Sequence, residues 1–428
     1  MENLLIMGIN TRPMVNSALK LDYRTYSVSY FKTYDFVSPY NERHVLDQES
    51  VDSCGFFERN YSPQKLLDLS REYLFDLSKE HNSKKQDNEN NEDIDEIDKI
   101  VLITGIHADD FKGEFSRFKT KIRGNINTKD LDDKFRFYQK TKNKFDVPLT
   151  FKLSDVDELR DILKQYNNNQ FILKPLKGNG GLGIFLIDYD SLNELNNSNN
   201  PLENISFDDY ILQEYIEGTS ISSSVLGTND DCVNLFNSRL VTENDLGNDN
   251  FAYSGNIVPL DVNSFNCFNE SFKGLGIDSK QLNKEMKEIS EDLIRQFRLI
   301  GSNGVDFILD RENNLKVIEI NPRLQGTYEL CEEIMDLNLL DAHIKACEGE
   351  LVEVPKLNGR YGIKKIIYSS KQVKIGNLSL SNVYDVPYEG VKIEANQPIV
   401  TLIDSNKDLK TAIGNINTAE ELVYKNIY

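Results

Sequence analysis

Histidine is scarce in this chain and cysteine is scattered. Of 428 residues, four are His (His44, His81, His107, His343) and five are Cys (Cys54, Cys232, Cys267, Cys331, Cys347), with no C-x-x-C. That usage argues against a zinc site or a disulfide framework and matches reduced thiols in a reducing compartment. It also leaves Ser-His-Asp and Cys-His mechanisms without support. No run reaches the roughly 18–20 apolar residues of a membrane span. The start, Met1-Glu2-Asn3-Leu4-Leu5, lacks a basic region and reads as a first strand rather than a secretion signal. Positive charge is in short supply: 49 Lys and Arg against 69 Asp and Glu give a formal −20. Nonspecific nucleic-acid binding needs a basic face and is not expected. A soluble cytoplasmic protein is expected, with any anion site confined to a pocket.

The length points to two or three domains, and 39% apolar residues suffice for packed cores. Residues 4–9, 26–31 and 100–104 read as buried strands, and 12–21 and 62–79 as helices, an alternation typical of a parallel α/β domain. The polar runs 81–98 and 193–204 are expected as mobile surface insertions, because they hold little to bury. Helices are expected over 127–142 (Thr128 as N-cap), 155–166, 280–297 and 328–347. Strands are expected over 210–215, 221–226, 305–310 and 315–320, and short strands and turns from 351 onward.

Two stretches carry chemistry. The first is 171–188, FILKPLKGNGGLGIFLID, where two strand-like runs flank a loop with Lys174, Lys177 and four glycines. Gly178, Gly180 and Gly183 spell G-x-G-x-x-G, but a dinucleotide fingerprint must open a helix at its last glycine. Ile184-Phe185-Leu186-Ile187 is a strand pattern. A hairpin lowered over phosphates fits instead, its lysines supplying charge and its backbone N–H groups hydrogen bonds.

The second is a hairpin, Gly304–Asp310 followed by Val317-Ile318-Glu319-Ile320-Asn321-Pro322-Arg323. Residues two apart on a strand share a face, so Glu319 and Asn321 point the same way, and Asp306 can face them. Two carboxylates and an amide oxygen suit a hard cation such as Mg²⁺, and Arg323 can reach a transferring phosphate. Any one of these is ordinary as a solvated strand residue. Together, in a chain that also holds the lysine–glycine hairpin, they are not. At the end of the first strand, Asn10 and Arg12 are candidate substrate anchors, against the plainer reading of a helix start with an exposed arginine. Asn256, after the polar excursion 242–250, is a candidate substrate contact, against the reading of a turn beside a core strand.

On these residues the chain resembles the ATP-grasp superfamily, in particular carboligases of the carbamoyl-phosphate-synthase and biotin-carboxylase type. The resemblance implies an α/β (α+β grasp) fold: a parallel preATP-grasp domain over 1–125, a two-lobed ATP-grasp domain over 126–350, and a small β-rich C-terminal region over 351–428. Carried over, Lys134 and Lys174 resemble the two ATP-binding lysines, with Lys177, Gly180 and Gly181 on the phosphate flap. Gln213, Glu214 and Ile216 fall on the adenine hinge. Ser220 stands where relatives often place a ribose-holding glutamate, with Glu217 nearby. Asp306, Glu319 and Asn321 match the metal ligands, and Arg323 the phosphate-stabilising arginine.

The resemblance implies ATP with Mg²⁺ (or Mn²⁺), and small-molecule carboxylate and amine substrates joined through an acyl phosphate with release of ADP. It admits a homodimer. Biotin-dependent activation of bicarbonate is the alternative, although no Met-Lys-Met segment occurs here. A non-catalytic ATP-binding protein is the other alternative, and it predicts damage to Lys174, Glu319, Asn321 or Arg323, all of which are present.

Overall fold

A computed structural model describes residues 1–36, 42–46, 62–87, 97–178, 180–181, 183–190, 206–247, 251–265 and 278–428. It opens with a parallel sheet in the order β3-β2-β1-β4, made of β1 (Glu2–Gly8), β2 (Tyr23–Phe31), β3 (Glu42–Leu46) and β4 (Lys99–Leu102). Alternate residues of β1 serve different cores. Leu4 and Ile6 pack with Met14 and Val15 of helix Arg12–Ala18, whereas Leu5 and Met7 pack with Leu66, Tyr73 and Leu74 of helix Pro63–Asp87. A strand covered on both faces must be apolar throughout, which is why Leu4–Met7 reads as an unbroken run.

The second unit is an antiparallel sheet, β5-β8-β6-β7, formed by β5 (Thr150–Lys152), β6 (Phe171–Pro175), β7 (Phe185–Ile187) and β8 (Tyr210–Glu214). Leu159 and Leu163 of helix Val156–Gln165 cover Phe171, Leu173 and Leu212 on one face. The other face looks into a cleft. β6 and β7 pair antiparallel with Phe171 opposite Ile187, so the glycine segment is a hairpin loop, as the strand pattern after Gly183 requires.

The largest sheet has eight strands in the order β13-β12-β9-β10-β11-β14-β18-β16. They are β9 (Gly218–Gly227), β10 (Cys232–Thr242), β11 (Tyr253–Val258), β12 (Gly301–Asp310), β13 (Leu315–Asn321), β14 (Tyr361–Tyr368), β16 (Val383–Tyr384) and β18 (Pro398–Asn406). Between them β15 (Val373–Lys374) and β17 (Lys392–Ile393) pair separately. Val305, Phe307 and Leu309 of β12 are buried against Leu282, Met286 and Leu293 of helix Ser279–Phe297, each such side chain contributing about 1.5–3 kcal/mol. Strand alternation then sends Asp306 to the opposite, cleft-facing side.

Several expectations change. The helix expected over 127–142 breaks at Asp133, whose extended backbone (φ −93, ψ 105) separates Lys129–Asp132 from Lys134–Thr141. Asp133 is the functioning cap, accepting the N–H groups of Phe135 (3.0 Å) and Arg136 (2.9 Å), while Thr128 makes no side-chain cap bond. The helix expected over 328–347 is two, Tyr328–Met335 and Leu339–Cys347. It is interrupted by Asp336 in the left-handed region, and Asn338 caps the second piece.

The polar run 81–98 is helical to Asp87, and its end is buried structure. Ile97 is 3% exposed, and the Asp98 carboxylate accepts the Asn3 N–H at 2.8 Å. Residues 88–96 and the run 193–204 lie outside the described residues. Beyond 351 the chain also contains helix Leu409–Lys425, capped by Asp408, which lays Ala412, Ile416 and Val423 on the core under β14 and β18. Among the described residues no helix is long and apolar enough to cross a membrane.

Candidate active site

Between the four-stranded lobe and the eight-stranded sheet runs a cleft with a cavity of about 570 Å³. Its outer end is the finish of β8 at Gln213–Ile216. Its middle is bounded by Lys174 and the glycine hairpin on one side and by Asp306, Glu319, Asn321 and Arg323 on the other. Its inner end is lined by Ser238, Tyr253, Asn256 and Gly326, and the loops that follow β1 and β4 contribute Ile9 and Thr104.

Register brings the acidic residues together. In the β12–β13 hairpin Asp306 is opposite Glu319 and Gly304 opposite Asn321, so the three polar side chains share one face. Across from them, Lys174 Nζ lies 3.3 Å from Glu319 Oε2, and Lys134 Nζ 4.0 Å from the same oxygen. The break at Asp133 makes this possible by starting a new helix at Lys134, whose backbone N–H donates to Leu176 O (3.2 Å) and whose ammonium donates to Gly178 O (2.7 Å). Both lysines are largely buried, their side chains 10% exposed.

Withdrawal from water governs the electrostatics. Burial pulls the Lys134 ammonium down to about 8, only partly opposed by Glu319. Burial raises Asp306, and the like charge of Glu319 raises it further, against the Ser222 hydroxyl that it accepts at 2.6 Å. For Glu319 the effect of burial is outweighed by Lys174 and Lys134, which hold it below the usual carboxylate range. Burial likewise lowers Arg323, opposed by Glu319 and Asp306. Two carboxylates facing one another in a cleft, with one resisting ionisation, form a site that a cation stabilises.

The donor set fits a hard divalent ion, with one adjustment. Asn321 Nδ2 donates to Asp306 Oδ2 (2.8 Å), and its Oδ1 accepts from Arg323 (3.0 Å). A half-turn of the amide is needed to present its oxygen on the Asp306 side, and amide orientation follows the hydrogen bonds around it. No cluster of three His, Cys, Asp or Glu side chains suited to a metal occurs among the described residues. A cation here would therefore complete its shell with water and phosphate oxygens.

The flap lies against the large sheet. Gly180 O accepts the Tyr253 N–H at 3.0 Å. Gly181 has φ +75, and a Cβ on it would sit 2.0 Å from Phe251 O, so only glycine passes there. Lys177 is exposed beside Gly178. On β8, the Glu214 carboxylate accepts Leu149 N–H (3.3 Å) and the Asn169 amide (3.2 Å), and the Tyr215 N–H goes to Gln170 O (2.9 Å). Gln213 donates to the Thr150 hydroxyl at 3.1 Å. The end of β8 and the two residues after it, Gln213–Ile216, all border the cavity. Ser220 lies on the cavity wall opposite Ile308, and Glu217 is paired with Arg311.

Arg12 is not at this site. It is 1% exposed and lines no part of the cleft. Its guanidinium holds both oxygens of Glu329 (2.6 and 2.8 Å) and Asp385 Oδ1 (2.7 Å), and it stacks over the Tyr384 ring. Asn10 also donates to Asp385 (2.8 Å). Both candidate anchors fasten the first sheet to the C-terminal region. Asn256 does line the inner cavity, but its amide is engaged at both ends, by the Tyr253 hydroxyl and by Ser238 (3.2 Å).

Residues absent from the sequence reading complete the wall. Ser222 and Ser224 sit on the same β9 face as Ser220. Ser222 serves Asp306, and Ser224 donates to Gln325 (2.7 Å). The alternation of serine through Ser220-Ile221-Ser222-Ser223-Ser224 is the signal that marks this face.

Known proteins share this architecture. Residues 131–327 match the model of an ATP-grasp domain. An uncharacterized protein of Methanocaldococcus jannaschii is 28% identical over 418 residues, spanning 96% of this chain and 90% of that one. Among solved structures, N5-carboxyaminoimidazole ribonucleotide synthetase from Thermotoga maritima superposes with a TM-score of 0.63 at 14% identity, covering 98% of each chain. The biotin carboxylase domain of Hydrogenobacter thermophilus 2-oxoglutarate carboxylase, solved with MgADP and bicarbonate, superposes at 0.66 with 17% identity, covering 98% of this chain and 89% of that one. The family match identifies residues 131–327 as an ATP-grasp domain, and the solved structures share the fold of the chain around it.

Proposed function

We propose that the protein is an ATP- and Mg²⁺-dependent ligase that converts a carboxylate into an acyl phosphate and passes the acyl group to an amine, releasing ADP and phosphate. The observation that carries this reading is the meeting of Lys174 and Glu319 at 3.3 Å, which brings a phosphate-binding lysine and a metal-binding carboxylate to one point in the cleft.

The triphosphate lies under the hairpin, with Lys174 and Lys134 neutralising its oxygens and the hairpin N–H groups donating to them. Asp306, Glu319 and Asn321 would hold the cation, which when bound neutralises charge on the phosphate oxygens. Hard oxygen donors accept Mn²⁺ as well as Mg²⁺. Arg323 faces the place where the γ-phosphoryl group meets the acid. The acid's oxygen attacks phosphorus, ADP leaves, and the guanidinium stabilises the negative charge on the transferring group. Ser238, Asn256 and Gly326 shape the inner cavity in which the acid sits.

A screen of carboxylate–amine pairs for ADP release, with mass detection of products, tests the reading. Glu319→Gln is expected to remove Mg²⁺-dependent turnover while the fold is retained. Full turnover by that variant refutes the metal assignment, and ATP binding without ADP formation for any pair refutes the ligase.

A further inference from the structure

A second cavity, of about 430 Å³, abuts the nucleotide cleft. Lys134, Gly178, Glu319, Asn321 and Arg323 line both. Its other walls include the end of β4 and the segment after it (102–110), residues 122–125, and helix Lys129–Asp132 with Asp133 and Arg136 beyond it. A ligand there approaches Arg323 without passing the hinge or the hairpin.

The charges lining this cavity differ in how they are engaged. Lys134 donates to Gly178 O (2.7 Å) and Arg123 to Glu348 (2.8 Å), while Arg136 lies 3.6 Å from Asp133 and Lys129 3.7 Å from Asp109. Arg323 donates to Asn321 Oδ1 (3.0 Å), so these cations already face acceptors, while Lys177 is exposed. Asp132 instead accepts the Thr128 hydroxyl (2.6 Å) and stands 3.9 Å from His107 Nδ1, with its charge acting on Arg323. An anionic acceptor would meet Asp132 head-on. A cation would pair with it, at the end of the cavity nearest the reacting groups.

We propose that this cavity admits the amine as its ammonium ion and that Asp132 binds it, with His107 beside it. This inference rests on the ligase reading and adds the class of acceptor. The nitrogen forms the new bond to the acyl carbon, the acyl carbon–oxygen bond to phosphorus's oxygen breaks, and phosphate leaves. Of the three ammonium hydrogens, one stays on the amide and one leaves on hydrogen phosphate. The third passes by way of Asp132 and His107 to solvent.

Hydroxylamine separates the two readings, because it is uncharged at neutral pH and needs no ammonium site. The full chain is given MgATP and each acid of the screen, with hydroxylamine competing against methylamine, ethanolamine or putrescine. Asp132→Asn is expected to lower the amide-to-hydroxamate ratio about tenfold, as loss of one charge-assisted contact predicts, through a raised KM for the amine with KM for ATP retained. Asp132→Glu restores part of the ratio. An unchanged ratio, or equal loss of amide and hydroxamate, overturns the assignment of Asp132. Hydroxamate without amide from any of the three amines in the unsubstituted protein overturns the cation class and leaves the ligase standing. Absence of hydroxamate with every acid overturns both.

Discussion

Lys174 on β6 and Glu319 on β13 meet across the cleft at 3.3 Å, although 145 positions separate them in the chain. The contact joins the small lobe to the large sheet at the point where the triphosphate and its cation are proposed to sit. Lys174→Met is expected to lower kcat/KM for ATP by about one to two orders of magnitude, the equivalent of one charge-assisted contact. Combined with Glu319→Asp, which keeps the charge but shortens its reach, the two losses are expected to be less than additive, since each residue acts on the same phosphate–metal unit. Steady-state kinetics on the two single variants and the double variant checks this. Wild-type rates for Lys174→Met would reduce the contact to a resting ion pair.

Nucleotide binding is expected to take up a proton. Burial holds Lys134 at about 8 in the empty cleft, and an incoming phosphate favours its charged form. The bound state therefore carries more protons than the empty one above pH 8, and affinity falls as pH rises through that range. Below about pH 7 the lysine is charged in both states and uptake vanishes. Calorimetric titration of MgADP in buffers of different ionisation enthalpy measures the uptake directly. Lys134→Arg is expected to abolish it, because arginine stays protonated throughout.

Arg12 is expected to govern stability and leave nucleotide affinity alone. Replacing it by Met strands Glu329 and Asp385 without their buried counter-ion, a loss of about 3–5 kcal/mol. Denaturant midpoints measure that loss, and MgADP titration of the folded variant should return the unsubstituted affinity. A large fall in affinity with little change in midpoint would return Arg12 to the substrate site.

Acid is expected to weaken the fold through His343. The ring is 2% exposed; its Nδ1 accepts the Ser302 N–H at 2.8 Å, and its Nε2 lies 3.0 Å from Arg123 O, so Nε2 carries the proton. Burial lowers it to about 4. The unfolded chain takes a proton on this residue from about pH 6.5 downward, and the folded chain does so only near 4. Stability therefore declines as pH falls through that window, by on the order of 3 kcal/mol, and no further below it. Denaturation at pH 4–7.5 measures the slope, which His343→Gln is expected to flatten.

What was legible in the sequence was what short periods encode. The strand after Gly183 excluded a dinucleotide fold, and the two-residue period placed Glu319 with Asn321 and Asp306 opposite. Arg12 was misplaced because its partners, Glu329 and Asp385, lie 317 and 373 positions away, beyond any local pattern. The break at Asp133 was hidden for a different reason. Thr128 and Asp133 are both competent caps, and only the docking of Lys134 on Leu176 and Gly178 favours the second. The second cavity had no signal at all, since loops remote in sequence compose it.

The eight-stranded sheet carries a consequence for how this protein can be cut. β11 is followed in the sheet by β14, so strands from beyond residue 351 cover one border of the sheet whose other end holds Asp306 and Glu319. A chain ending at 350 leaves Tyr253–Val258 as a bare border with Ile257 and Val258 uncovered, a template for sticking to other copies. It also deprives Arg12 of Asp385. The nucleotide-handling segment is thus no self-sufficient cassette, and attempts to express it alone should yield aggregates.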